Sequence, residues 1–294
     1  MGDNMVIIEN SNELKKLKNK NNNTLIGTIP YMENSSIQFI GNNNILYCED
    51  GVKILNSSIV FNNDNSLIYL SKSKDPYKLH VDIYNNSVFY MGRDNYINGV
   101  INMSLSERKH CFIGNDSIFS FGIWFRTSDP HLIYSTVDKN RLNNSKSIYL
   151  GDHVWIGQNA LILKGTKVES GSIIAAMSVS SNKLINNNSS WGGNPIRKIK
   201  DDIFWDRSSV HRWTSDLTEK SKNYVDFIHD SDIVDPNTYI FEYDENSFIS
   251  FEELENIFDS DDINSKLNFL INLPQNKNRF VNKNRHKKKF FHKK

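Results

Sequence analysis

The sequence predicts a mainly β protein, a parallel β-helix followed by a mixed α/β C-terminal extension. Over residues 148–179, large aliphatic residues recur at every sixth position. They are Leu150, Ile156, Ile162, Val168 and Ile174. An α-helix would place its apolar residues three and four positions apart, and a surface strand two positions apart. A period of six instead gives one short strand and one turn per repeat, so that three repeats close a triangular coil. Leu150 should therefore stack on Val168, and Ile156 on Ile174.

Residues 36–110 are predicted to form irregular coils of the same β-helix, and residues 111–180 to form regular ones. In the irregular part, short apolar segments such as Ile37–Phe39, Ile45–Tyr47 and Ile59–Phe61 are spaced by more than six residues. This spacing indicates coils with enlarged turns, and the abundant asparagines suit such turns because asparagine tolerates the left-handed conformation. A separate small antiparallel β domain is the alternative.

Residues 126–147 interrupt the repeat completely. A long insertion in a solenoid forms a loop that leaves one corner, and such loops commonly carry function. His131 lies on this predicted loop, which makes it the histidine of most interest among the eight in the chain.

Three motifs resemble those of the hexapeptide-repeat acyltransferases. Val154–Gly157 is similar to the family's V-W-I-G, Gly193–Arg197 to its G-N-P-A-R/K closing motif, and Ser128–Tyr134 to the S-D-x-H-x-I-Y segment that carries its catalytic histidine. The resemblance covers residues 110–200 and implies a left-handed β-helix that assembles as a homotrimer. The spacing from His131 to Trp155 looks most like that of bacterial sialic acid O-acetyltransferases acting on capsule or lipooligosaccharide.

The resemblance implies transfer of an acetyl group from acetyl-CoA to a hydroxyl of a surface glycan, with terminal sialic acid as the leading acceptor. A base must take the hydroxyl proton, and a histidine side chain suits this role near neutral pH. The resemblance gives this role to His131 and places Trp155 beside it. Asp129 could orient the His131 ring. His153 is the main competing base, although its position in the repeat points outward and indicates an interface or surface residue.

Trp155 should be exposed on an outer wall of the β-helix. A large indole in water is unfavourable, so it should pack on a ligand or on a neighbouring subunit. The sequence leaves these two alternatives open.

The resemblance also implies a coenzyme A groove beside the last coils. The residues assigned to the donor are Gln158, Ala176, Ser178, Lys183, Arg197 and Lys200. Small residues would keep the wall of this groove low, and the cations would meet the phosphates. The chain departs from the family at Gln158, where glycine is usual, and at Ile196, where alanine is usual.

Composition excludes several other classes. The net charge of the 294 residues is +1, and no basic face or stacking platform predicts nucleic-acid binding. Histidine and cysteine show no metal-ligand spacing, so no metal is expected. Two cysteines, no apparent signal peptide and no long apolar segment predict a cytoplasmic protein. The remaining alternatives are an N-acetyltransferase acting on an amino sugar nucleotide and a non-catalytic glycan-binding or scaffolding β-helix.

The predicted organisation has four parts: an N-terminal segment (1–35), the β-helix (36–200), a capping and extension region (201–274) and a basic tail (275–294). In the extension, residues 201–229 should cap the last coil, and Tyr239–Ile249 should form a hairpin. Ser250 and Glu253 form a capping box for a helix that ends at Phe258, and Ile263–Leu273 predicts another helix. From Lys277 onward the chain carries nine Lys and Arg residues. This tail could hold the enzyme at the inner face of the cytoplasmic membrane, and the alternative is a solvated tail that only aids solubility.

Overall fold

A computed structural model describes residues 6–14, 20–224 and 235–283. Their strands stack into three main sheets, which form the three sides of a β-helix. The first sheet contains β1 (Val6–Ile8), β4 (Ser36–Phe39), β7 (Ser58–Phe61), β9 (Leu79–Ile83), β12 (Ile101–Leu105), β15 (Trp124–Arg126), β18 (Leu161–Leu163) and β21 (Val179–Ser180). The second contains β2 (Thr24–Gly27), β5 (Ile45–Cys48), β8 (Leu67–Leu70), β10 (Val88–Met91), β13 (Cys111–Ile113), β16 (Ile148–Leu150), β19 (Lys167–Val168) and β22 (Leu184–Ile185). The third contains β11 (Tyr96–Ile97), β14 (Ile118–Phe119), β17 (Trp155–Ile156), β20 (Ile173–Ile174), β23 (Ser189–Gly192) and β24 (Arg197–Asp201).

The remaining elements are short. Strands β3 (Tyr31–Glu33) and β6 (Lys53–Leu55) pair with each other in parallel. Among the described residues, the α-helices are α1 (Ser11–Leu14), α2 (Ser215–Lys220), α3 (Phe251–Phe258) and α4 (Ile263–Ile271), with 3-10 turns at Lys20–Asn22, Val210–Arg212 and Pro236–Thr238. Within the described part of the chain, no helix has the length and apolar character needed to cross a membrane.

The register confirms the predicted β-helix. Leu150 pairs with Val168, and Ile156 with Ile174. Paired residues are 21 or 22 positions apart in the early coils, 37 apart across the insertion, and 17 or 18 apart afterwards. The enlarged early coils are thus continuous with the regular ones, and the alternative of a separate antiparallel domain is wrong. Among the described strands, the only antiparallel pairs are β1 with β4 and β23 with β24.

The β-helix begins earlier than the predicted boundary at residue 36. Strand β2 pairs in parallel with β5, and β3 with β6, so part of the predicted N-terminal segment belongs to the first coil. Asn21 explains how this coil turns, because it adopts the left-handed conformation with φ 57°. Asn43, Asn65 and Asn86 occupy the same conformation one, two and three coils further on. The expectation that asparagines form the turns is confirmed at this corner.

The inward columns make up the main hydrophobic core. All five repeat aliphatics are fully buried. Each such side chain contributes about 1.5–3 kcal/mol when it leaves water. Ile196 is also buried in this core, which accounts for a large aliphatic residue at the position where alanine is usual.

The C-terminal extension covers one outer face of the β-helix. The second sheet has apolar side chains on its outward side as well, and α3 and α4 pack against them to form a second core. Tyr47, Tyr69, Tyr90 and Phe112 stack along this face at centroid distances of 4.3–5.2 Å. The predicted helices are confirmed, and Ser250 caps α3 by accepting a hydrogen bond from the Glu253 amide at 3.0 Å.

Three predictions for the C-terminal part are wrong. The described part of the predicted cap runs along the side of the β-helix instead of lying over the last coil, because Trp205 packs on His153 and Arg207 bonds to Asp116. Residues 225–229 of the predicted cap lie outside the described residues. Tyr239–Ile249 contains a turn but no strands, because its main chain bonds to Asn188 and to residues 278–279. Residues 275–283 are part of the fold and not of a separate tail. Residues 284–294, where most of the basic residues lie, are outside the described residues.

Candidate active site

The loop predicted to carry function leaves the β-helix after β15 and returns at β16, so that it spans residues 127–147. His131 is exposed on this loop. Apolar side chains around it are exposed too, including Ile133, Tyr134 and Leu142, and Val137 retains 90% of its accessible surface. A loop that presents a histidine among exposed apolar groups is suited to contact another molecule.

The main chain next to His131 is held by the side chain of Asn143, which is only 7% exposed. Asn143 Nδ2 donates to the His131 carbonyl oxygen at 2.7 Å and to Asp129 Oδ2 at 3.0 Å. Asn143 Oδ1 accepts from the Ile133 amide at 2.9 Å. Sequence reasoning missed Asn143, because neither the repeat nor the motif assigns a partner to the His131 segment.

Asp129 is predicted to orient the His131 ring, but in the structure it joins the loop to the next coil. Its Oδ2 atom also accepts a hydrogen bond from Lys164 Nζ at 2.5 Å, and this contact holds the pKa of the carboxyl group below its usual range. Lys164 follows β18, so the ion pair joins the loop to the next coil. Among the described residues, no hydrogen bond joins Asp129 to the His131 ring.

Trp155 lies on the outer side of β17, between Ile118 and Ile173 of the neighbouring strands, and is 41% exposed. The predicted outward position is confirmed. One side of the indole approaches Trp205 of the extension at a centroid distance of 6.0 Å. The exposed part is available to a ligand or to another subunit.

His153 is buried, and the expectation of a surface or interface position is wrong. Its ring stacks on Trp205 at a centroid distance of 3.7 Å. Nδ1 bonds to Asp116 Oδ2 at 2.7 Å, and Nε2 bonds to the Trp205 carbonyl oxygen at 3.0 Å. Both ring nitrogens are therefore occupied within the chain, which removes the main competitor for the role of base.

Three of the predicted donor-binding residues lie on adjoining coils. Gln158 and Ala176 are exposed, and the Gln158 carbonyl oxygen accepts from the Met177 amide at 2.8 Å. Ser178 is buried, and its hydroxyl group donates to the Ala175 carbonyl oxygen at 2.7 Å and accepts from the Gly193 amide at 3.2 Å. Ser178 thus fixes the Gly-Asn-Pro turn against the wall instead of offering its hydroxyl to a ligand.

The predicted cations lie at the end of the β-helix. Arg197 and Lys200 are exposed on β24, opposite Gly192 and Ser190 of β23. Lys183 Nζ lies 5.5 Å from the centroid of the Trp191 ring. Within the described chain, no hydrogen bond or ring contact joins His131 to Trp155 or to any predicted donor-binding residue.

A polar cleft of about 480 Å³ lies at the base of the loop, between the corner residues of two coils and helix α3. Four lysines line it, of which sequence reasoning selected only Lys183. Lys109 pairs with Glu255 and Lys167 with Glu252, whereas Lys146 donates to the amide oxygen of Asn182. Lysines 109, 146 and 167 gave no signal in the sequence, because the fold brings them together from separate coils.

One group of side chains has the composition of a metal site: His110, Glu255 and Asp259. Lys109 Nζ already bonds to both carboxylates, at 2.8 and 3.4 Å. His110 Nδ1 accepts from the Val88 amide at 3.1 Å, so the neutral ring carries its proton on Nε2, which faces Asp259. The hydrogen bond from His110 lowers the pKa of Asp259 to about 2. These contacts make the group a polar link between α3 and the β-helix.

The triangular β-helix with a histidine-bearing loop inserted between two coils has the arrangement that the motifs predict from their resemblance to hexapeptide-repeat acyltransferases. Relatives of the chain agree with this class, although no family model matches it. A polysialic acid O-acetyltransferase of Neisseria meningitidis is 28% identical over 192 residues, which are 65% of this chain and 88% of that enzyme. A polysialic acid O-acetyltransferase of Escherichia coli O1:K1 / APEC is 30% identical over 112 residues, which are 38% of this chain and 36% of that enzyme.

Two solved structures are similar over most of their length. The polySia specific acetyltransferase NeuO matches with a TM-score of 0.58 and 28% identity, covering 68% of this chain and 90% of that one. The polysialic acid O-acetyltransferase OatWY matches with a TM-score of 0.56 and 25% identity, covering 68% and 95%. The chain is a left-handed β-helix O-acetyltransferase, as its motifs predict.

Proposed function

We propose that this enzyme transfers an acetyl group from acetyl-CoA to a hydroxyl of a sialic acid glycan of the bacterial surface, with His131 as the general base. The observation that carries the proposal is the similarity to the polysialic acid O-acetyltransferase of Neisseria meningitidis, which extends over 88% of that enzyme. The exposed position of His131 on the inserted loop supports its role.

In this reaction, the His131 imidazole takes the proton of the acceptor hydroxyl as the oxygen attacks the thioester carbonyl carbon. The resulting tetrahedral oxyanion collapses, the carbon–sulfur bond breaks, and the imidazolium returns the proton to the departing thiolate. The acetyl ester and coenzyme A are released. No covalent enzyme intermediate is needed when donor and acceptor bind together, and a positioned base contributes typically 10²–10⁴-fold to the rate.

The active site is proposed to form between subunits of a homotrimer. In the single chain, His131 makes no hydrogen bond or ring contact with Trp155 or the donor-binding residues. The loop carries exposed apolar side chains such as Leu132 and Leu142, and Trp155 is exposed on a flat wall. Closed cyclic symmetry would bury both surfaces and bring a loop of one copy to the wall of the next.

Acetyl-CoA is proposed to lie along the wall formed by Gln158 and Ala176, with its phosphates near Arg197, Lys200 and Lys183. Arg197 and Lys200 are exposed on β24, so they can meet phosphate oxygens without losing a buried contact. Ser178 stays in the proposed site as support for the Gly-Asn-Pro turn.

The proposal is tested with acetyl-CoA and a panel of acceptors: sialic acid polymers of different linkage, sialylated oligosaccharides, neutral glycans and amino sugar nucleotides. Mass spectrometry should detect added acetyl groups on the sialylated acceptors alone, and mild alkali should remove them because they are esters. Alkali-stable acetylation of an amino sugar nucleotide would instead identify an N-acetyltransferase. Light scattering at the assay concentration should give a trimer, and an active monomer would contradict the intersubunit site.

A further inference from the structure

We infer that Asn143 is the positioning residue of the catalytic loop and acts on the reaction only through His131. This inference rests on the proposed role of His131 as the base. Asn143 lies twelve positions after His131 in the sequence, yet its side-chain amide bonds to the main chain directly after the His131 side chain, at the His131 carbonyl and the Ile133 amide, and to the Asp129 carboxylate two positions before it.

The amide of Asn143 can occupy this position in one orientation only. Its Nδ2 atom faces two groups that can only accept, the His131 carbonyl oxygen and the Asp129 carboxylate. Its Oδ1 atom faces two groups that can only donate, the Ile133 amide and Arg141 Nε, at 2.9 and 3.4 Å. A carboxylate of the same shape would direct an oxygen at two acceptors, so aspartate cannot replace asparagine here.

Lys164 connects this arrangement to the rigid part of the molecule. Its Nζ atom donates to Asp129 Oδ2 at 2.5 Å and to the Asn143 carbonyl oxygen at 3.1 Å. Both segments of the loop that flank the arrangement are thereby fixed to the corner after β18. Arg141 also pairs with Glu107, and Ser128 bonds to Ser106, but the contacts of Asn143 are the ones next to His131, so they determine where the imidazole stands relative to the β-helix.

A displacement of about 1 Å at a reacting group can reduce the rate on the order of 10²-fold, because the attacking groups lose their alignment. Asn143→Ala and Asn143→Asp should therefore lower kcat by about 10²-fold. The KM for acetyl-CoA and the melting temperature should stay close to the wild-type values, because Asn143 touches neither the donor wall nor the core. Lys164→Met should lower kcat in the same direction and less.

The decisive measurement is a double-mutant cycle for kcat with His131→Ala. If Asn143 acts through His131, adding Asn143→Ala to His131→Ala should cause no further loss. Asn144→Ala is the matched control, since Asn144 is the neighbouring asparagine, is exposed and should leave kcat unchanged.

The outcomes separate this inference from the proposed function. Retention of activity by His131→Ala would reject the base itself, whatever Asn143 does. An inactive His131→Ala with a fully active Asn143→Asp would reject only the positioning role. A further loss in the double variant, or a fall in kcat that parallels a lower melting temperature in both Asn143 variants, would also overturn the inference.

Discussion

Two parts of the chain leave the β-helix, and they are held to it in opposite ways. The loop 127–147 contributes almost nothing to either core, and a few polar contacts around Asn143 fix it. The extension after β24 buries much of α3 and α4, as well as Phe280, against the second sheet. It is also fastened by the buried ion pair of Arg279 and Asp152.

This difference separates the two tasks of the molecule. In the proposed function, the β-helix with its extension supplies a rigid wall, and the loop supplies the base, whose surroundings are open to substrate. Segments with few buried contacts have low local stability, which binding sites commonly require. Changes in the loop should therefore affect catalysis without unfolding the protein. Changes in the extension should destabilise the protein without a direct effect on catalysis.

The largest expected effect is that of His131→Ala on catalysis. Loss of the proposed general base should lower kcat by at least about 10²-fold. The exposed ring makes no contact with the core, so the melting temperature should not change, and acetyl-CoA should bind as before. Isothermal titration measures the binding of acetyl-CoA, and a thiol-release assay measures kcat. A variant that kept more than about a tenth of the wild-type kcat would show that another group takes the proton.

The next effect in size is the loss of stability on breaking the ion pair in the extension. Arg279 donates from Nε and Nη2 to the two carboxylate oxygens of Asp152, at 2.8 Å each, and its side chain is fully buried. Arg279→Met leaves that carboxylate without its main partner and should cost about 3–5 kcal/mol in the free energy of unfolding. Urea unfolding measures the cost, and Arg212→Met, which changes an exposed arginine, is the control. An equal loss of stability in both variants would show that the ion pair does not stabilise the fold.

A smaller effect, of opposite sign, is expected at Lys266 of α4. This lysine is only 1% exposed, and its Nζ atom has a long contact of 3.4 Å with the Asn86 carbonyl oxygen. Burial lowers the pKa of Lys266 to about 8, below the value of about 10.4 that an unfolded chain gives it. The neutral amine is thus favoured by folding, and its contribution to stability is present above pH ~10.4 and lost as the pH falls through 8.

Lys266→Met removes this penalty. The variant should melt at a higher temperature than the wild type at pH 7, and the difference should shrink at pH 10, where the wild-type amine is largely neutral. Thermal unfolding of both proteins at the two pH values measures this. The same difference at both pH values would mean that side-chain packing, and not charge, decides the effect.

The β-helix could be predicted from the sequence because each repeat contains its own inward aliphatic residue at a fixed position. Leu150 and Ile156 fall on columns whose period is visible without any partner. The early coils were harder, since their enlarged turns hide the period, and Thr24–Gly27 was too short to be recognised as a strand. His131 and Trp155 could be selected because they lie in motifs that resemble a known family.

The rest depends on contacts between distant segments. Asn143, Lys164 and Asp129 come from the loop and from another coil, and no spacing predicts that they meet. The buried position of His153 likewise requires Trp205, which lies 52 residues further on. Arg279 looked like part of a basic tail until Asp152 appeared as its partner. Sequence reasoning missed one signal. Strands such as Val88–Met91 are apolar on both faces, which predicts that another element covers the outer side of the second sheet.

The smallest effect on the folded enzyme is expected from the basic residues beyond Lys283. Their removal tests whether the extension ends at that residue. We propose that this part, with six Lys and Arg residues and two phenylalanines, holds the enzyme at an anionic membrane surface. Each cation near such a surface contributes about 1 kcal/mol, and three copies in a trimer would add avidity. Truncation after Lys283 should abolish co-sedimentation with vesicles that contain anionic lipid, while the melting temperature and transfer to a soluble acceptor remain.

The matched control for this experiment is truncation after Pro274. It removes the same basic residues together with Arg279, Phe280 and Val281, all of which are buried. This shorter protein should therefore lose stability as well as vesicle binding, whereas the longer truncation should lose only the binding. Wild-type binding should require anionic lipid and weaken as salt is added, because the attraction is electrostatic. Undiminished binding after truncation at Lys283 would assign the membrane contact to the folded part of the enzyme.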